Sequence, residues 1–84
     1  MYHVYILKNE SGKTYVGFTS KEVEKRLSEH NLGCNTWTNH NKPFKIVYYE
    51  SFYCEKDARA RELFLKSGIG RKLTRLITDN FNGV

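Results

Sequence analysis

Five side chains in this sequence are of the types that can break a phosphodiester: Tyr5, Tyr15, Arg26, His30 and Glu62. The reaction needs a water relieved of its proton, positive charge on the oxygens of a crowded phosphorus, and a route by which the leaving oxygen gains a proton or a metal. Phenols and an imidazole carry protons. A guanidinium is a planar, two-pronged donor that matches phosphate oxygens where a lysine would not. Arg26 and His30 are four residues apart, so on a helix they project from one face towards a common point. Taken singly, each has an ordinary explanation. The tyrosines suit strand surfaces, Arg26 can pair with Glu22 one turn earlier, His30 suits a helix C-terminus, and Glu62 stands between Arg59 and Lys66 as a surface acid would.

The elements that must position them follow from local pattern. Residues 2–7 and 14–18 are rich in aromatic and β-branched side chains, and Asn9-Glu10-Ser11-Gly12 between them is turn-forming, which predicts a hairpin. Tyr5 shares a face with His3 and Leu7, and Tyr15 shares one with Gly17, where a missing side chain lets backbone or a ligand approach closely. Thr19 with Glu22 has the capping-box spacing and Gly33 is a stop, predicting a helix over 20–31 with Val23 and Leu27 inside. Residues 33–43, polar apart from Trp37, read as loop. Residues 44–49 form a third strand, with Phe44, Ile46 and Tyr48 on one side and Lys45, Val47 and Tyr49 on the other. A second helix covers 55–67 with Ala60, Leu63 and Phe64 inward, and a third runs over 70–79, anchored by Leu73, Leu76 and Ile77. The fold class expected is α/β: a three-stranded sheet, its first two strands an antiparallel hairpin, covered by about three helices and forming a single domain over residues 1–84.

Charge points to the partner. The net charge is +5, and residues 59–75 carry six basic side chains against Glu62 alone, so the whole excess sits in one segment. Such a cluster is either a footprint for a polyanion, through counterion release, or a solvated helix face. No apolar run approaches the length of a membrane span, and no basic, apolar leader opens the chain, so a cytoplasmic location is expected. Cys34 and Cys54 read as reduced thiols without zinc-ligand spacing.

The ordered set Val4-Tyr5-Ile6, Tyr15-Val16-Gly17, Arg26, His30 and Glu62 resembles the GIY-YIG nuclease domain over residues 2–77. It is most similar to the small standalone bacterial members, which share the Lys66-Ser67-Gly68 turn and the Gly70-Arg71-Lys72 helix start. The resemblance implies that one tyrosine is the general base for the attacking water, with Tyr5 favoured, and that the other positions it. It implies that Arg26 holds the scissile phosphate, that His30 relays a proton or holds a tyrosine hydroxyl, and that Glu62 is the one protein ligand of Mg²⁺ or Mn²⁺, an ion that keeps most of its water. Some members place a lysine just after the second signature; Phe18 stands there. His40 matches a second functional histidine of some relatives, and Asn80 loosely matches a family asparagine.

Lys66, Arg71, Lys72 and Arg75 are the expected nucleic-acid contacts, the Gly-rich helix start adding free backbone N–H groups. The implied activity is metal-dependent endonucleolytic hydrolysis of DNA, with RNA left open, in repair or processing. The chain has no room for the targeting domains of excision-repair and homing enzymes, so structure-directed or weakly specific cutting is expected, with a targeting partner protein as one source of selectivity. The alternative is a nucleic-acid-binding module of the same fold whose cleavage is weak or lost.

Overall fold

The computed structural model describes residues 1–33 and 35–81, apart from the side chains of Thr36, Trp37, Asn80 and Phe81. The strands are β1 (Tyr2–Asn9), β2 (Thr14–Thr19) and β3 (Phe44–Phe52). The helices are α1 (Val23–Asn31), α2 (Thr36–Asn41), α3 (Glu55–Lys66) and α4 (Gly68–Phe81). The sheet order is β2-β1-β3, with both pairings antiparallel. β1 is central because its run from Val4 to Leu7 is apolar on both faces, and it is the stretch that both sides of the sheet bury.

Two cores result. On one face Val4, Ile6 and Val16 meet Ala58 and Leu65 of α3, with Leu73 and Ile77 of α4 packed against them. On the other, Tyr5, Leu7, Val23 and Phe44 pack with Tyr15, Leu27 and Ile46. The chain is therefore an α/β layering with α1 on one side of the sheet and α3 and α4 on the other. Ile6 and Leu7 are fully buried, and truncating either to alanine should cost about 2–5 kcal/mol.

Several local expectations are corrected. α1 starts at Val23 rather than residue 20, because Thr19 Oγ1 accepts from the Lys21 N–H at 3.0 Å and closes a turn before the helix; the N-cap is Glu22, with no side-chain cap. Gly33 does end it: its φ of +92° is the left-handed conformation that lets its N–H reach the His30 carbonyl. Residues 36–41, expected as loop, form α2, nucleated by Asn35 Oδ1 accepting the Thr38 N–H at 3.2 Å. Among the described residues there are four helices rather than about three.

The strict alternation expected in β3 breaks at a register shift opposite Ile6 and Leu7. Phe44 and Ile46 pack beside Tyr5, while Val47 and Tyr48 both pack beside Val4. An extra residue in one strand switches the face of everything after it. On α3, Ala58 and Leu65 are the buried positions, whereas Ala60, Leu63 and Phe64 are exposed. α4 begins at Gly68 rather than residue 70, and Leu76 lies on its exposed side. Cys54 is exposed and its thiol free, and Cys34 lies outside the described residues.

Candidate active site

Tyr5 and Tyr15 come from neighbouring strands and meet on the face covered by α1. Tyr5 pairs with Gly17 across the sheet, and a Cβ on Gly17 would run into the Tyr5 ring and hydroxyl. The absent side chain is what lets the ring lie over β2. The Tyr5 and Tyr15 ring centroids are 6.4 Å apart, and both rings meet His30 edge-on, at 5.9 Å and 4.9 Å.

The hydrogen bonds around His30 have one consistent direction. The Thr38 hydroxyl donates to the Asn35 carbonyl at 3.2 Å, so its oxygen is left to accept from His30 Nδ1–H at 3.0 Å. Nε2 is then an acceptor, and Tyr5 O–H donates to it at 2.8 Å. Burial, seconded by the Arg26 charge, holds the imidazole below its ordinary pKa despite Glu29, so His30 is neutral, as this chain of bonds requires.

Tyr5 itself is sealed, with 1% of its surface exposed. Burial pushes its phenol up to about 12, the adjacent Arg26 guanidinium opposing and the Tyr15 and Glu62 charges reinforcing the rise. A phenol so protected holds its proton. Tyr15 is only partly buried, and Asn35 Nδ2 approaches its hydroxyl at 3.5 Å, a long contact.

Arg26 stands between Tyr5 and Glu29. Its Nη1 donates to Glu29 Oε1 at 2.8 Å, and Lys21 Nζ donates to the other oxygen of the same carboxylate at 2.6 Å. The partner is therefore Glu29, three residues later, and not Glu22. The Lys21 and Arg26 hydrogen bonds hold Glu29 down to about 2, so it stays anionic.

Glu62 belongs to α3, in the layer opposite His30. α3 crosses β1 and β2, and β2 is a sheet edge, so side chains of α3 reach round it. Lys66 Nζ lies 6.0 Å from the Tyr15 ring centroid and donates to Glu62 Oε2 at 2.9 Å. The Glu62 side chain is only 15% exposed. Phe18 points to the α3 face, stacked on Tyr2 with the Arg59 guanidinium 4.1 Å over its ring. The cation beside the second tyrosine is thus supplied by α3, not by position 18.

No group of three or more His, Cys, Asp or Glu among the described residues could hold a metal ion. A single shielded carboxylate fits Mg²⁺ or Mn²⁺ with water and phosphate completing the shell, and fits no ion that demands a full protein cage.

The basic segment divides. Arg59 pairs with Glu55 and Arg61 binds Glu50 through two bonds at 2.9 and 3.1 Å, while Lys66, Arg71 and Arg75 line a groove. Lys72 and His40 are exposed and do not line it. The helix start at residue 70 has no free N–H to offer at that position, because Ser67 Oγ accepts from Gly70 N–H at 3.2 Å. The Asn80 side chain lies outside the described residues. Asn35, Thr38 and Glu29 are the site members that local pattern did not reveal. An Asn-x-x-Thr cap inside residues 33–43 was the signal for the first two.

The model of the GIY-YIG catalytic domain matches residues 1–74. The chain belongs to the GIY-YIG family. It is 41% identical over 76 residues to a UPF0213 protein of Clostridium perfringens, covering 89% of this chain and 75% of that one. A UPF0213 protein of Staphylococcus saprophyticus is 33% identical, covering 93% and 95%. One of Halobacterium salinarum is 34% identical, covering 79% and 86%. No solved structure matches the chain significantly. GIY-YIG membership points to a nuclease-like activity on nucleic acid, in a family that is typically metal-dependent. Among the described residues no helix is long and apolar enough to cross a membrane.

Proposed function

We propose that this chain, acting as a single cytoplasmic GIY-YIG domain, is a divalent-metal-dependent endonuclease that hydrolyses phosphodiesters in DNA. The observation that carries the reading is the directed chain Tyr5, His30, Thr38, Asn35, which holds the Tyr5 hydroxyl beside Arg26 while Tyr15 stays accessible against the same imidazole. In this reading Arg26 takes two oxygens of the scissile phosphate, and its charge grows more valuable as those oxygens gain charge. Tyr15, in its phenolate form with its own proton released to solvent and Lys66 facing its ring from α3, takes up the proton of the attacking water. Tyr5, sealed and strongly protonated, is a positioning residue that orients Arg26 and His30. Glu62 would hold Mg²⁺ or Mn²⁺, which supplies positive charge beside the phosphate oxygens. Selectivity would come from DNA structure or from a targeting partner protein rather than from a base-reading surface.

Purified protein incubated with supercoiled plasmid and with branched DNA, in Mg²⁺, Mn²⁺ or chelator, tests this. Nicking should require metal and fall by about 10²–10³ in Arg26→Ala, as for loss of one transition-state donor, and comparably in Glu62→Ala. Nicking that persists in chelator, or in both variants, refutes it.

One observation favours a second reading, a binding module with feeble cleavage. Arg26 and Glu62 each already have an ion-pair partner within the protein, Glu29 and Lys66. Salt-sensitive DNA binding without cutting in either metal, unaffected by Glu62→Ala, would select it.

A further inference from the structure

A groove of about 790 Å³ separates the β1–β2 hairpin from α4. Its rim is basic: Lys8 and Lys13 from the hairpin, Lys66 from α3, and Arg71 and Arg75 from α4, against Asp79. Its floor includes Val16 and Leu65. Two of its members have polar side-chain groups without a partner among the described residues. Lys8 is only 8% exposed and makes no side-chain hydrogen bond or ion pair among the described residues. Thr74 is 5% exposed, and its Oγ1 is fully buried with no hydrogen-bond partner. The orphaned Thr74 hydroxyl has lost solvation that an entering anion with acceptor oxygens would restore, and the Lys8 ammonium in the same groove has no counter-charge among the described residues. Tyr15 lines the same groove while its ring contacts His30.

We infer that this groove is the track for the nucleic-acid strand flanking the cut, taking its phosphates on Lys8, Arg71 and Arg75 and a sugar or base against Val16 and Leu65. The inference rests on the nuclease reading for its direction: a strand whose scissile phosphate lies between Tyr15 and Arg26 has its next phosphates over the groove. A binding surface that combines a basic rim with a floor for the nucleoside suits a single strand better than a rigid duplex.

The test is binding of a short fluorescent single-stranded oligonucleotide in chelator, titrated against salt, so that it is independent of cleavage. Arg71→Ala/Arg75→Ala, both at exposed positions on α4, should weaken binding at low salt at least about tenfold and flatten the plot of log K against log[salt] by about 1.4, two contacts at about 0.7 each. Lys72→Ala, on the same helix outside the groove, should leave both unchanged. Lys8→Met, which keeps the stem and removes one contact, should weaken binding and flatten the plot by about 0.7, half the effect of the double variant. The inference is overturned if the double variant binds like the parent, if Lys72→Ala loses as much as the groove variants, or if the parent does not bind at all. Binding of a mononucleotide as tightly as the oligonucleotide also overturns it, reassigning the groove to free nucleotides. A protein that never cuts yet loses binding in the groove variants upholds the groove and refutes only the nuclease reading. One that cuts and binds normally without Arg71 and Arg75 does the reverse.

Discussion

Replacing Tyr5 by phenylalanine isolates one oxygen in the centre of the site. The ring keeps its place over Gly17 and its apolar contacts, so burial is conserved. What is lost is the donor to His30 Nε2, on an imidazole with no exposed surface. Stranding a buried acceptor costs about 1–3 kcal/mol, which in a domain of this size lowers Tm by about 4–8 °C per kcal/mol.

The pH dependence makes the prediction specific. Tyr5 ionises near 12 in the fold, against an ordinary 10.0, so the unfolded chain releases this proton first. The stability conferred by the protonated phenol is therefore complete below about pH 10 and is lost as pH rises through 12, a total of about 2.7 kcal/mol for two units at 1.36 each. About half, ~1.4 kcal/mol, is gone by pH 11. The variant lacks this term, and every other tyrosine is common to both proteins and cancels in the difference. Urea unfolding followed by circular dichroism at pH 8 and 11 should show the gap between parent and variant narrowing by about 1.4 kcal/mol. Parallel alkaline limbs would refute the buried, hydrogen-bonded phenol. So would a variant as stable as the parent at pH 8.

Gly17→Ala should cost about 1–3 kcal/mol, because the new Cβ overlaps the hydroxyl end of the Tyr5 ring, which the bond to His30 holds in place; an unchanged urea midpoint would mean that the ring is not held there. Arg61→Met should cost about 1–2 kcal/mol, since it removes two charge-assisted bonds to a part-buried Glu50. Burial works against the Glu50 charge, but the bonds from Arg61 and Tyr48 hold its carboxyl below the usual range, so the parent's extra stability should be complete above the ordinary carboxylate pKa and shrink as pH falls below it. A parent-to-variant difference that stays constant in acid contradicts the pairing.

What the sequence determined by itself was whatever depends on near neighbours. The hairpin, the common helical face of Arg26 and His30 and the Gly33 stop all follow from side-chain period and from backbone freedom, which act over a few residues. Tertiary structure decided everything that depends on which faces become covered. Tyr5 and Tyr15 have the same side chain, yet the central strand seals one and the edge strand leaves the other accessible. Glu29 rather than Glu22 takes Arg26 because Lys21 folds back to share its carboxylate.

The charge count made residues 59–75 one basic patch. Folding spent Arg59 and Arg61 on ion pairs and brought Lys8 and Lys13, distant in sequence, to face Arg71 and Arg75 across a groove. Periodicity records what each segment prefers alone, whereas burial and charge pairing are settled by the neighbours a segment acquires, and those neighbours arrive only when the layers close.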